Sequence, residues 1–363
     1  MCIDSLNTNC ESNPSNYPSV TLEYPTIGAM ERFPLVAPKS SADYDPIVDV
    51  VKSLVVITEN YLTQDQQALL GSWSQTIDRH SEDGPGPNYL LNLERARCAQ
   101  DGLAFMKTFS TITGILSHLK SLPQNPFSQS ISSWTSIPRA VVIRIVDETW
   151  YRAVNLQAAE LSKYTPFSQS VYGELTPSLL HRIFCLTGLS ESSLFLDVGS
   201  GVGNAVCQAS LQTGCRSHGI ELNPRPAKIA QSFLANFRAR CQMWGVTAGD
   251  IDLEEGDALL SPRVHELIAV ADVLLINNKA FGNELNGKLR EKLGRLKDGA
   301  RVISLEPFVH GRVIADMLPW CITEHIYDVG GNSWNNRPGP FYIGRVDRVE
   351  HALLVQRLAS ESE

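Results

Sequence analysis

The sequence predicts an α/β fold, a Rossmann-like sheet of seven strands with a helical N-terminal region ahead of it. Three observations predict it. Residues 194–221 read LFLDVGSGVGNAVCQASLQTGCRSHGIE. That is an apolar strand, a turn through Gly199, Gly201 and Gly203, a helical segment, and a short strand ending on Glu221, the order of a βαβ unit. Downstream, strand-like and helix-like stretches alternate, as a doubly wound sheet requires. Two antiparallel strand candidates then close the pattern, Cys321 to Val329 and Phe341 to Val346.

Taken in order, the elements divide the chain into four parts. Residues 1–40 are rich in Ser, Asn and Pro and read as a disordered leader that gains order near LEYPTIGAMERFPL. Residues 41–165 form the helical region. Asp45-Pro46 is a helix start, and Ile47, Val50, Val51, Leu54, Val55 and Ile57 give it an apolar face through Tyr61. Thr63 to Arg79 is a second helical candidate, and SEDGPGPN (81–88) is a loop. Leu90 to Leu119 is one long helix or two, Ser121 to Trp134 a Pro/Ser-rich connection, and Ile137 to Ala159 helical again. Val141, Ile145, Trp150 and Val154 mark the buried side of that last helix.

The sheet domain spans 166–350, and 351–363 is a C-terminal tail. Within it, Leu179 to Thr187 reads as a helix. After the glycine unit, Pro224 to Gly245 is a long helix with Ile229, Phe233, Phe237 and Trp244 on its core side. Strands follow at 251–254, 271–277 and 301–305, with helices at 264–268 and 284–296 between them.

Composition removes several classes of function. With 43% hydrophobic and 19% charged residues, the 363 residues have the make-up of an ordinary soluble protein with ample core. The net charge is −8, and no two Lys or Arg are adjacent, so there is no polybasic tail for DNA or an anionic membrane. No run approaches the ~18 apolar residues of a membrane span. The first residues, MCIDSLNTNCESNPSNYPS, lack the apolar core of a secretory signal. None of the eight cysteines forms a C-x-x-C pair, and five lie in apolar or helical text, as small core residues of a reducing compartment do. Neither they nor the eight histidines have ligand spacing, so no metal is expected.

The glycine unit also selects a cofactor. A dinucleotide turn is G-x-G-x-x-G, with the helix N-terminus facing a pyrophosphate. Here the glycines run G-x-G-x-G and Asp197 precedes them. An acid there repels a pyrophosphate and suits a cationic, phosphate-free cofactor, S-adenosylmethionine. Its ammonium would meet Asp197, its carboxylate the loop amides around Gly199, Gly201 and Gly203, and its ribose hydroxyls Glu221. Asp257 follows the third strand, where it either accepts from the adenine amino group, with Ala258 lining the ring, or caps the next helical turn.

Four blocks then occur in order: PFSQSVYGEL (166–175), LDVGSGVGN (196–204), LLINNKAFG (274–282) and RVISLEPF (301–308). Together they resemble the DOT1 family of histone H3 lysine methyltransferases, over roughly residues 140 to 350. NSWNN and FYIGRVDR resemble that family's closing aromatic segment. The alternation with its terminal hairpin is likewise that of the seven-stranded class I methyltransferase sheet. The resemblance implies that the chain transfers a methyl group from S-adenosylmethionine to a lysine amine of histone H3, in the nucleus. It puts Tyr172, Glu174 and Leu175 on a loop over the methionine end of the cofactor. Asn204 matches a polar position just past the glycine loop. Asn277 lies at a strand end, where its amide faces both cofactor and amine. Tyr172 and Asn277 are thus the candidate catalytic residues. Phe167, Lys279, Phe281, Ser304, Glu306, Trp334 and Phe341 are the candidates for the acceptor channel.

The departures from the family fall on the acceptor side. Lys279 stands where the family usually has an aromatic, and Glu306 where it usually has Lys. They either pair with each other or recast the channel for another acceptor. Phe341 stands where a Tyr is common, which removes a hydroxyl, and the family's basic DNA-binding tail is absent. Two alternatives therefore accompany the histone expectation. One is a DOT1-like enzyme for a non-histone acceptor such as a small metabolite, in the cytoplasm. The other is a non-catalytic cofactor-binding module.

Overall fold

The computed structural model describes residues 2–4, 17–40, 43–73, 88–157, 161, 173–308, 320–334 and 337–361. It divides into two compact units, Met1–Arg152 with Arg238–Val246, and Ala153–Phe237 with Thr247–Glu363. No helix of the described residues is long and apolar enough to cross a membrane.

The first unit carries more than helices. Strands β1 (Cys2–Asp4), β2 (Ser19–Glu23) and β3 (Met30–Pro34) form a sheet in the order β1-β3-β2. Order thus appears in the leader at the LEYPTIGAMERFPL stretch, as the sequence suggests, and also at residues 2–4 and 17–21. Val20, Leu22 and Phe33 alternate toward the core, and Tyr24 is fully buried beside them. Helix α1 (Pro46–Tyr61) starts where the Asp-Pro pair predicts, with Asp45 accepting from the amides of Ile47 and Val48 at 2.9 and 3.0 Å. Helix α2 (Gln64–Ala68) is shorter than the pattern suggested, and residues 74–87 lie outside the described set. Two helices, α3 (Tyr89–Cys98) and α4 (Gly102–Ser121), replace the single-helix option. The expected connection contains α5 (Pro126–Ser133), capped by Asn125. Helix α6 (Arg139–Ala153) completes the set and buries Val141 and Ile145, while Trp150 is half-buried.

A buried ion network runs through this unit. The Glu31 carboxylate accepts from Arg240 at 2.5 and 2.9 Å and from Arg152 at 2.8 Å. Asp49 pairs with Arg144 and, at 2.8 Å, with Arg152. Glu148 accepts from Arg144, Ser53, Tyr24 and the Trp244 indole. Burial alone would raise the Glu31 and Asp49 carboxyls. The guanidiniums outweigh it and hold both below the usual range.

The second unit holds a seven-stranded sheet. Its elements are α7 (Pro177–Thr187), β4 (Leu194–Val198), α8 (Asn204–Thr213), β5 (Arg216–Glu221), α9 (Pro224–Trp244), β6 (Ile251–Glu255), α10 (Pro262–Val270), β7 (Val273–Ile276), α11 (Asn283–Leu293), β8 (Arg301–Ser304), β9 (Trp320–Tyr327) and β10 (Gly339–Val346). The last turns of α9, from Arg238, belong to the first unit. The strand order is β6-β5-β4-β7-β8-β10-β9, with β10 antiparallel to both neighbours. Every residue of β4 and β7 is buried, which is why β7 reads as a continuous apolar run and β4 as one broken only by Asp197. The expected C-terminal tail is instead a helix, α12 (Arg348–Glu361). Of the cysteines described, Cys207, Cys215 and Cys241 are buried and Cys321 half-buried. Cys98 and Cys185 are exposed, which corrects the expectation of five in the core.

Candidate active site

The carboxyl ends of β4, β5 and β7 open on a cavity of about 260 Å³. The sequence places it there for a reason. The chain must turn sharply from β4 into α8, and Gly199, Gly201 and Gly203 do so at φ of 84°, 56° and 84°. At Gly203 the need is double, because a Cβ would lie 2.8 Å from Leu253 Cδ1.

Asp197, Glu221, Gly199, Gly201, Asn204, Asp257, Ala258, Asn277, Glu174 and Leu175 all line this cavity. Gly203 does not, and serves as the N-cap of α8. Asp197 is 4% exposed, and burial together with the nearby Glu221 pushes its carboxyl up to about 8. Glu221 is raised as well, by burial, against the pull of its backbone donors. Those donors are the amides of Gly201, at 2.9 Å, and Asn223, at 2.7 Å. Among the described residues no cation pairs with either acid.

Four of the loop amides already have partners in the protein. Gly199 and Ser200 both donate to the Ile220 carbonyl, Gly203 to Ser200, and Gly201 to Glu221. A cavity lined by two cation-seeking carboxylates, with apolar walls at Pro226, Ala258, Leu259 and Leu285, fits a cationic nucleoside cofactor. Asp257 makes the capping bond, and its place on the cavity wall leaves the adenine role open. One carboxylate oxygen accepts from the Leu259 amide at 2.7 Å, while the residue lines the cavity.

Asn277 donates from its side-chain amide to the Gly173 carbonyl at 3.0 Å, and Asn204 to the Leu175 carbonyl at 3.3 Å. The two amides thus hold the loop that the YGEL block supplies. Tyr172 and Phe167 lie outside the described residues. Phe281 also lines the cavity, its ring 3.7 Å from where a Cβ on Gly199 would stand.

The remaining channel candidates do not gather at the cavity. Lys279 and Glu306 pair with each other and are exposed, 45% and 40% at their side chains. Ser304 is buried within β8. Phe341 is fully buried in the core cluster that includes Leu175 and is stacked on His325, so its ring forms core, not open channel. Strand alternation puts its neighbour Tyr342 on the other face of β10, opposite Ser304 and Glu324. Trp334 is half-buried against the same core cluster, its ring over Gly173.

Sequence reasoning missed Asn278. It is 1% exposed. Its side chain accepts from the Leu305 and Glu306 amides and donates to the Glu306 carbonyl and Asn286. This staples the end of β7 to the end of β8. The doubled asparagine was the available signal, and only its first member had been given a role.

A family model described as "Histone methylation protein DOT1" matches residues 150–346. The chain is 31% identical over 290 residues to the "Histone-lysine N-methyltransferase, H3 lysine-79 specific" of Aspergillus fumigatus, covering 80% of this chain and 55% of that protein. It is 32% identical over 330 residues to the protein of the same name from Chaetomium globosum, covering 89% and 61%. For that of Mycosarcoma maydis the identity is 35% over 277 residues, covering 73% and 34%. The chain therefore spans between 34% and 61% of the length of these relatives.

Proposed function

The chain belongs to the DOT1 family of histone methylation proteins, and from that premise we propose that it is an S-adenosylmethionine-dependent methyltransferase whose acceptor is a lysine amine of histone H3. The relatives' shared name points to lysine 79 as the position. The observation that carries the proposal is the pair of buried Asp197 and half-buried Glu221 lining the cavity, with no cation paired to either among the described residues. When bound, S-adenosylmethionine supplies a methyl group on a sulfonium, whose thioether leaves neutral, so no general acid is required.

The chain's own residues do the rest. Asp197 holds the methionine ammonium. Glu221, already fixed by two backbone donors, offers its remaining lone pairs to the ribose hydroxyls. Asp257 and Ala258 take the adenine end, and Phe281 closes the wall above Gly199. Asn277, by holding the Gly173 carbonyl, fixes the loop of Gly173, Glu174 and Leu175 that lines the cavity. The acceptor amine loses its proton on entering dry surroundings, because desolvation lowers an amine pKa. Positioning and water exclusion therefore supply most of the rate. A nuclear location follows from the acceptor. With no polybasic run in the sequence, nucleosome binding by this chain alone is weak.

The test is to incubate the protein with methyl-labelled cofactor and, separately, nucleosomes, free histones and a metabolite extract. Label on histone H3 is the expected result. Label confined to small molecules overturns the histone assignment, and cofactor binding with no transfer overturns the enzyme.

A further inference from the structure

The loop under Asn277 is held from a second side by a segment far away in sequence. Residues 331–334 run beside residues 173–176 as a short antiparallel pair, bridged at Leu175 and Asn332. Thr176 donates its amide to the Gly331 carbonyl at 3.0 Å, and Ser333 its amide to the Glu174 carbonyl at 2.9 Å. The Ser333 hydroxyl accepts from the Glu174 amide at 2.8 Å. One residue on, Trp334 lies over Gly173 so closely that a Cβ there would meet its ring carbon Cε3 at 2.6 Å. Gly173 is therefore required by the indole above it. Gly173, Glu174 and Leu175 all line the cofactor cavity, and neither Ser333 nor Trp334 does.

Resting on the methyltransferase reading, we propose that Ser333 is a positioning residue for cofactor binding. It fixes Glu174 from behind, so the cavity-lining loop and the segment carrying Trp334 form one hydrogen-bonded unit. Asn204 and Asn277 hold the loop's carbonyls from the sheet side. Ser333 supplies the side-chain acceptor for an amide on the opposite side. Without that hydroxyl the Glu174 amide turns to water, the loop samples more conformations, and the bound state carries a larger ordering cost. The rate of the chemical step, once the site is filled, is unaffected.

The test measures S-adenosylhomocysteine binding directly, by calorimetric titration, in the wild type, Ser333→Ala and Ser333→Thr, with cofactor KM and kcat in parallel. Loss of one hydrogen bond predicts about a three- to tenfold weaker Kd and a matching rise in KM for Ser333→Ala. Its kcat at saturating cofactor should stay within about twofold, and Ser333→Thr, which keeps the hydroxyl, should restore both Kd and KM. A role confined to folding would instead lower the active fraction, cutting kcat and leaving KM and Kd alone. That result overturns the proposal, as does a Ser333→Ala Kd equal to the wild type's. No binding by the wild type itself would overturn the methyltransferase reading, and this proposal with it.

Discussion

In the N-terminal unit three buried carboxylates, Glu31, Asp49 and Glu148, face three buried guanidiniums, Arg144, Arg152 and Arg240. In the second unit Asp197 and Glu221 share a cavity wall, and among the described residues no cation pairs with either. Burial acts on both groups in the same direction and is the largest influence on each. In the first unit the guanidiniums outweigh it, and Glu31 and Asp49 stay ionised. In the second, burial prevails and Asp197 is pushed up to about 8. A fold that neutralises three buried acids in one place and leaves two unneutralised at a cavity in another marks the second place as the candidate site for a ligand's charge.

The largest way to break this comparison is to remove a cation from the matched network. Arg240→Ala strips Glu31 of two hydrogen bonds at 2.5 and 2.9 Å and leaves a carboxylate at 0% exposure with Arg152 as its remaining cation. Breaking a buried pair from one side costs about 3–5 kcal/mol. A denaturant titration should show a loss of that size, and a loss under about 1 kcal/mol would mean the network is not matched as described.

The reverse is expected in the cavity. Asp197→Asn removes a charge that nothing in the protein balances. The substitution should stabilise the cofactor-free protein above neutral pH while weakening S-adenosylhomocysteine binding by roughly 10- to 100-fold, the range for a lost charge-assisted hydrogen bond. Calorimetry reads both quantities. Equal affinity in the variant would refute the assignment of Asp197 to the ammonium.

The pH dependence sharpens the same contrast, and the signs differ between the ion network and the cavity pair. Asp197 is raised in the folded state from 3.8 to about 8, so across that interval the native chain binds the extra proton. Its contribution is favourable at low pH and is lost as pH rises through about 8, with a slope approaching ~1.4 kcal/mol per pH unit. Glu221 acts in the same direction. Asp147, half-buried in the first unit and raised to about 6, does so too, but its window closes near that value. Glu31 and Asp49 are lowered, so their contribution is present above the ordinary carboxylate range and disappears only in acid. The cofactor-free protein should therefore lose stability between pH 6 and 8, and Asp197→Asn should flatten most of that slope. A wild-type melting temperature that rises over this interval would contradict the protonated carboxyl.

The contrast between the two clusters also marks what could be read in the chain. The cavity was legible because its parts are local. Asp197 and the three glycines lie within seven residues, and Glu221 follows on the next strand, so a βαβ spacing brings them together. The ion network was not legible, because Glu31 and Arg240 stand 209 positions apart and each alone looks like an ordinary surface charge. The same reason hid the contact of Gly173 with Trp334 and of Glu174 with Ser333. Phe341 was hard to place for a different reason. A resemblance aligns positions, but strand alternation decides faces, and in this chain it turns Phe341 into the core and Tyr342 to the other side.

The smallest expected effect lies at a third kind of charge pair. Lys279 and Glu306 neutralise each other at the ends of β7 and β8, where both are exposed. Exposed pairs contribute about 0–1 kcal/mol, so neither Lys279→Met nor Glu306→Gln should alter melting appreciably, and neither side chain lines the cofactor cavity. What each substitution changes is the local field. Lys279→Met leaves the Glu306 carboxylate unbalanced and should raise kcat/KM for a basic acceptor by about two- to threefold at low salt. Glu306→Gln leaves the ammonium and should lower it by a similar factor. The double variant restores the wild-type charge and should restore the wild-type value. Because the groups are exposed, both single effects should vanish near 1 M salt, where the screening length falls to about 3 Å. Shifts in the same direction, or ones that survive high salt, would mean that the pair acts on the acceptor through shape and not through charge.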